Sequence, residues 1–354
     1  SCMQMRYPGV LALLVATAAW GDVQPLANDQ QVNTATSLSQ RVADVAVTAL
    51  GAAVVVWESP TTVAGGSDAS GWSIQGQRLA AGGAPEGGQF QVNVETSGDQ
   101  LNPAVAVACN GRFLVAWEGT DAGGWGIKAR LYEPDGQPVG GEFVVNAALQ
   151  TNAQVGPDVA ASPDGNFAVV WESIGSLGDD ASQASIQARL VTNAGALSGS
   201  QAQVNSFITG AQTLAAVTSR AKGGFAVAWR SDSQVLNDPQ RHSIRWQAFS
   251  STAVKAGGER LAVSSATLLD APAIAVAADD TALLLWSAAI SALDASGYAV
   301  EAQLFTAAGA ASGPVFLVPQ STTNDQRFPV AAVLSAGGYL VSWYTADSTG
   351  NDIS

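Results

Sequence analysis

A single tryptophan position recurs along this chain, and it limits the possible folds more than any other feature. Trp57, Trp117, Trp171, Trp229, Trp286 and Trp343 follow one another at intervals of 54 to 60 residues. A period of this length marks a repeat architecture. Each tryptophan closes an apolar run, as in Phe113-Leu114-Val115-Ala116-Trp117 and Phe167-Ala168-Val169-Val170-Trp171. Successive residues of a strand point to opposite faces, so these strands must be covered on both sides. Sheets stacked face to face meet that requirement.

Each unit carries four strand signals. Strand A is small and apolar, as in Pro103-Ala104-Val105-Ala106-Val107. A hairpin turn such as Asp164-Gly165 leads to strand B, which holds the tryptophan. Strand C has the pattern Ile-x-Ala-Gln/Arg, as in Ile127 to Arg130 and Ile186 to Arg189. Strand D ends in Val-Asn at Val92-Asn93, Val145-Asn146 and Val204-Asn205. A further strand D signal, Gln31-Val32-Asn33, precedes the first strand A, while the last unit ends within strand C. The reading is an all-β fold: a six-bladed β-propeller of four-stranded antiparallel blades over 28–354. In it an N-terminal outer strand near Val32 completes the blade of Trp343. A fragment of a longer chain would allow seven blades.

These motifs resemble a repeat of large bacterial secreted and cell-surface proteins. Its unit runs Phe-x-Val-x-Trp, Ile-x-Ala-Gln-x-Phe, Gly-Glu-Phe-x-Val-Asn and Gln-x-x-Pro. Here it is carried by Phe113 to Trp117, Ile127 to Tyr132, Gly141 to Asn146 and Gln154 to Pro157. The resemblance implies a secreted, cell-surface or periplasmic setting and no particular reaction.

At the N-terminus, Arg6 precedes an apolar run of 12 residues from Gly9 to Trp20. That is too short to cross a bilayer. Together with the small residues Ala16-Thr17-Ala18 it gives residues 1–27 the character of a signal peptide, or of a hydrophobic segment able to mediate self-assembly. The chain has a net charge of −14 and no basic run, so no nucleic-acid partner is expected and an anionic membrane surface is disfavoured. Insertion of the propeller in a membrane is not expected. Cys2 and Cys109 fit no metal or redox spacing, and Cys109 is expected to be a buried thiol.

Only the B–C loop varies in length between copies, so the interaction surface is expected on the face carrying the B–C and D–A connections. Two positions before each strand C anchor stand Trp72, Trp125, Ala184, His242, Tyr298 and Asn351. Of these, Trp72, Trp125, His242 and Tyr298 are the candidate binding residues, able to stack on sugars or pack on a partner. Six positions before each anchor stand Asp68, Asp121, Asp180, Asp238, Asp294 and Asp347. They would be a carboxylate ring for Ca²⁺ or, the preferred reading, local turn acceptors that need no cofactor. Gln40, Gln100, Gln154, Gln212 and Gln326 have a structural role, bridging backbone between blades. Glu58, Glu118 and Glu172 follow the tryptophans as repeat-encoded surface residues, although paired carboxylates can serve glycoside hydrolysis.

His242 is the only histidine, and no catalytic set stands out. The expectation is a protein that is not an enzyme: a non-catalytic extracellular binding or scaffold module recognising protein or glycan in adhesion. The alternatives are a structural subunit of an extracellular assembly, and a lectin or carbohydrate-active enzyme.

Overall fold

The computed structural model describes residues 3–7, 31–34, 39–60, 68, 70–121, 123–148, 152–175, 178–180, 183–233, 241–289, 291–294, 297–320, 322–334, 337–346 and 351–353. They form six antiparallel sheets in chain order, one per tryptophan. Sheet 1 comprises Met3–Tyr7, Arg41–Val47, Ala53–Ser59, Ser73–Leu79 and Pro85–Gln91. Sheet 2 comprises Leu101–Val107, Phe113–Asp121, Gly124–Tyr132 and Phe143–Val144. In sheet 3 the strands are Gln154–Ala161, Phe167–Ile174, Ala184–Val191 and Leu197–Gln203. Those of sheet 4 are Ala211–Ser219, Phe225–Asp232, His242–Phe249 and Arg260–Ser265. Sheet 5 follows with Leu269–Val276, Ala282–Ala289, Tyr298–Phe305 and Ala311–Leu317, and sheet 6 with Asp325–Val333, Tyr339–Ala346 and Asn351–Ile353.

The period-two alternation of strand B explains the stacking. In sheet 2, Phe113, Val115 and Trp117 pack with Val54, Val56 and Ile74 of sheet 1. The intervening Leu114 and Ala116 face Val169 and Trp171 of sheet 3. Every tryptophan points back to the preceding sheet, and Trp57 of sheet 1 shares its cluster with Val330 and Leu340 of sheet 6. This face-to-face arrangement is that of a β-propeller. The A strands of successive sheets touch, and Met3–Tyr7 pairs with Arg41–Val47 and runs beside Asp325–Val333.

Each buried tryptophan also needs an acceptor for its indole N–H. Trp117, Trp171 and Trp229 donate to Gln100, Gln154 and Gln212 at 3.1, 3.0 and 3.1 Å. Within sheet 5, Leu269 occupies the glutamine position, and Trp286 donates instead to Glu301 at 3.0 Å. In sheets 2, 3 and 4 the glutamine amide therefore serves the core of its own sheet, in place of the expected bridge between blades.

Two sequence expectations are revised. Val32 lies in no strand; it packs against the cluster of Val45, Val55 and Trp57, so an N-terminal outer strand is not formed at Val32. The same holds for Val92, Val145 and Val204, because Val-Asn is where the chain leaves the ladder. Residues 8–30, including the apolar run from Gly9 to Trp20, lie outside the described residues. Cys109 is exposed, because the buried strand ends at Val107 and the cysteine stands in the hairpin turn between Ala108 and Arg112. Among the described residues no helix is long and apolar enough to cross a membrane.

Candidate functional site

Every A strand begins with a β-bulge whose residue has positive φ. These are Val42 (49°), Asn102 (49°), Gly156 (60°), Leu214 (56°), Ala271 (45°) and Phe328 (53°). Such backbone is costly for a branched or bulky residue and persists only where its surroundings fix it. The fixing group is the residue after the tryptophan of the preceding sheet. Glu58 accepts the Asn102 N–H at 2.6 Å, Glu118 accepts that of Gly156 at 2.6 Å, and Ser287 accepts that of Phe328 at 3.0 Å. Glu172 bonds to the backbone of Leu214, and burial pushes its carboxyl above the usual range. These glutamates are latches between sheets, neither surface residues nor a hydrolytic pair; Glu58 is only 1% exposed.

At the corresponding place in sheet 4, Arg230 replaces the glutamate, and the chemistry changes. Arg230 Nη1 pairs with Asp270 at 3.1 Å, just before the bulge of sheet 5, and its Nε pairs with Asp232 at 3.0 Å. Asp232 ends strand B and His242 begins strand C, so the ladder sets them directly opposite each other. His242 Nδ1 lies 2.8 Å from Asp232 Oδ1. A carboxylate is acceptor-only, so Nδ1 carries a proton, and Nε2 is the ring nitrogen turned away from Asp232. Arg327, before the bulge of sheet 6, approaches Asp270 at 3.6 Å. Its guanidinium stands 3.8 Å from the centre of the Tyr298 ring and 5.0 Å from that of Phe328.

The result is a chain of groups across three sheets: His242, Asp232, Arg230, Asp270, Arg327 and Tyr298. All stand on the rim with the B–C and D–A connections. The four charged residues and the histidine keep between 15% and 27% of their side-chain surface exposed, so they are partly desolvated yet reachable. The cluster can accept a proton at Nε2, hold a carboxylate with two guanidiniums and offer a phenol.

Of the four expected binding residues, His242 and Tyr298 belong to this cluster. Trp72 belongs elsewhere, under the Arg41 guanidinium at 4.0 Å, while Arg41 pairs with Glu58 at 2.7 Å. Trp125 is half-buried on sheet 2, opposite Thr120. Sequence reasoning missed Arg230, Asp232, Asp270 and Arg327. Arg230 could have been found as the residue that breaks the Glu58, Glu118, Glu172 series.

The aspartates and the Val-Asn signals form one device. Asp68 Oδ1 accepts the Ser70 N–H at 3.1 Å, and Asp121 Oδ1 accepts that of Gly123 at 2.8 Å. Asp68, Asp121 and Asp180 accept the amides of Asn93, Asn146 and Asn205 at 2.8, 2.9 and 2.7 Å. The asparagine oxygens in turn accept the N–H groups of Ile74, Ile127 and Ile186. Asp294 is buried at the matching place, and Asp238 and Asp347 lie outside the described residues. Among the described residues, no group of three or more His, Cys, Asp and Glu side chains is arranged to hold a metal ion.

No protein-family model and no curated protein matches the chain. Solved structures do resemble it. A protein of unknown function from Dyadobacter fermentans DSM 18053 is 14% identical, with a TM-score of 0.54 over 87% of this chain and 91% of its own. A polysaccharide lyase, an ulvan lyase bound to -[GlcA(1-4)Rha3S]-, is 10% identical, with a TM-score of 0.54 over 86% of this chain and 81% of its own. The alpha-L-arabinofuranosidase of Fusarium graminearum, in complex with arabinobiose, is 9% identical, with a TM-score of 0.51 over 87% and 90%. The similarity confirms the propeller architecture. The expectation of a non-catalytic, non-enzymatic binding or scaffold module is thereby corrected: the named relatives in fold are enzymes of carbohydrate cleavage. The physical reason that reasoning within one repeat does not see the rim cluster is that its residues come from three sheets.

Proposed function

We propose that the chain is a closed six-bladed propeller that cleaves an acidic glycan by β-elimination at the rim cluster. The observation that carries this reading is the only histidine, fixed by Asp232 beside Arg230, Asp270 and Arg327. Arg327, with Arg230, would bind the carboxylate of a uronate residue and acidify the proton on the adjacent carbon. His242 Nε2 takes that proton, the neighbouring C–O bond breaks, and a C=C bond forms between the two carbons. Tyr298 supplies the proton that the leaving oxygen needs, and no water is consumed. The ulvan lyase of like fold is bound to a uronate-containing glycan, which supports the substrate class. The overall charge of −14 opposes an acidic polymer at long range, but salt screens that repulsion beyond about 8 Å.

Closure is supported by a repeated bond. The residues after Val-Asn donate to the next sheet's strand D region: Val94 to Glu142 at 2.6 Å and Ser206 to Glu259. Thr34 donates to Gln89 at 2.8 Å in the same manner, which gives residues 32–34 the equivalent place for sheet 6. A polymeric substrate accords with a secreted or cell-surface setting.

The test is a panel of uronate-containing and neutral polysaccharides, followed by ultraviolet absorbance of unsaturated uronate and by reducing ends. Absorbance rising with reducing ends on uronate polymers alone is the expected result; reducing ends without absorbance would mean hydrolysis. Asp68 and Asp121 accept backbone and asparagine donors and Asp180 accepts the Asn205 amide, which supports a turn role for these aspartates rather than a calcium site. Adding EDTA is expected to leave the melting temperature unchanged, and a loss reversed by Ca²⁺ would overturn this.

A further inference from the structure

The A strands of successive sheets touch and form the inner wall of the propeller, so their bulges stand around its mouth, on the rim of the B–C and D–A connections. All six bulge residues have the positive φ that glycine adopts at no steric cost, yet only Gly156 of sheet 3 is a glycine. A Cβ added at Gly156 would meet no atom within 4 Å, so the position faces open space and packing does not call for a side chain there. The other five copies keep one despite the backbone cost. Strain that is retained in this way clusters at ligand sites.

In the three sheets of the rim cluster the bulge residues run large, small, large. Leu214 follows Thr213, which the ladder sets opposite Arg230. Ala271 follows Asp270, and Phe328 follows Arg327. Each bulge thus adjoins a charged member of the cluster. Leu214 is 43% exposed, and its neighbour Ala271 is half-buried. Phe328 is also half-buried, with its ring 5.0 Å from the Arg327 guanidinium and edge-on to Tyr344 at 6.3 Å. Two sheet spacings, each on the order of 10 Å, separate Leu214 from Phe328, more than a single sugar ring can bridge.

We infer that these three residues decide where on a glycan the cluster acts. Ala271 leaves room for the sugar ring whose carboxylate is held, and Leu214 and Phe328 pack against the apolar faces of the sugars on either side of it. The inference rests on the assignment of the rim cluster to an acidic glycan. A middle ring gripped through both neighbours lies inside a chain, so the polymer is cut along its length and not from its ends.

The test follows product lengths by size-exclusion chromatography as the parent protein acts on polygalacturonate, alginate and hyaluronan. Long fragments are expected first, and disaccharides released alone from the outset would overturn internal cleavage. Ala271→Leu copies the residue that sheet 4 already carries at this φ. It should melt like the parent while kcat/KM on the polymer falls by about tenfold or more, because the added bulk occupies the place of the middle ring. Leu214→Gly and Phe328→Gly copy Gly156 and relieve strain. Both should raise KM and retain kcat, Phe328→Gly by about three- to tenfold for one lost stacking contact. Phe328→Tyr keeps the ring and should keep the parental KM. Should Ala271→Leu fail to fold, the two glycine variants decide. Cleavage of no polymer by the parent would overturn the assignment of the cluster and this inference with it. Cleavage by the parent with KM unchanged in both glycine variants, or with a folded Ala271→Leu as active as the parent, would overturn this inference alone.

Discussion

His242→Ala is expected to lower the rate of glycan cleavage by about 10²- to 10⁴-fold, the usual contribution of a positioned general base. The protein should melt at the parent temperature, because His242 stands at the rim and its removal opens no core cavity. The ladder places His242 opposite Asp232, and the 2.8 Å bond to Nδ1 fixes the ring so that Nε2 faces away from the carboxylate. Asp232→Asn keeps the shape but can donate to Nδ1, which reverses the tautomer and blocks the base. It should therefore lose rate while retaining substrate affinity. Arg327→Gln should chiefly raise KM, since a uronate carboxylate would lose its cation. A His242→Ala variant with parental turnover on a substrate of the parent would remove the imidazole from the mechanism.

Trp171→Ala is expected to destabilise the fold by about 3–5 kcal/mol. At about 2 °C per kcal/mol for a chain of this size, the melting temperature should fall by roughly 6–10 °C. Trp171 is fully buried between sheets 2 and 3, among Leu114, Ala116, Ile127 and Val159. The alanine leaves a cavity that two rigid sheets cannot close, and it strips the donor from Gln154, itself wholly buried. Trp125→Ala is the matched comparison, because Trp125 is half-buried on sheet 2 and should cost about 1 kcal/mol. Equal losses at the two positions would mean that strand B is not the core.

The difference between these tryptophans was legible in the sequence, because apolar residues flank Trp117 and Trp171 on both faces while glycines surround Trp125. The repeat period and the four strand signals follow from the same local physics. What stayed hidden were contacts between positions far apart in the chain. Asp68 and Asn93 read as two separate signals until the fold brings them to 2.8 Å. The bulges are silent in sequence, since Val42, Leu214 and Phe328 are residues that ordinarily avoid positive φ. Without the bulges, Asp270 and Arg327 look like solitary surface charges. The rim cluster exists only because they bring those two side chains within reach of Arg230 and Tyr298 from neighbouring repeats.

The fate of water distinguishes elimination from hydrolysis most directly. A uronate-containing polysaccharide cleaved by the parent protein would be digested in water enriched with heavy oxygen, and the product ends weighed by mass spectrometry. Elimination at the His242 cluster predicts ends that lack the elements of water on the unsaturated side and carry no heavy oxygen from bond cleavage. Heavy oxygen fixed at the cleaved linkage, or intact polymer after prolonged incubation with every uronate substrate, would contradict it.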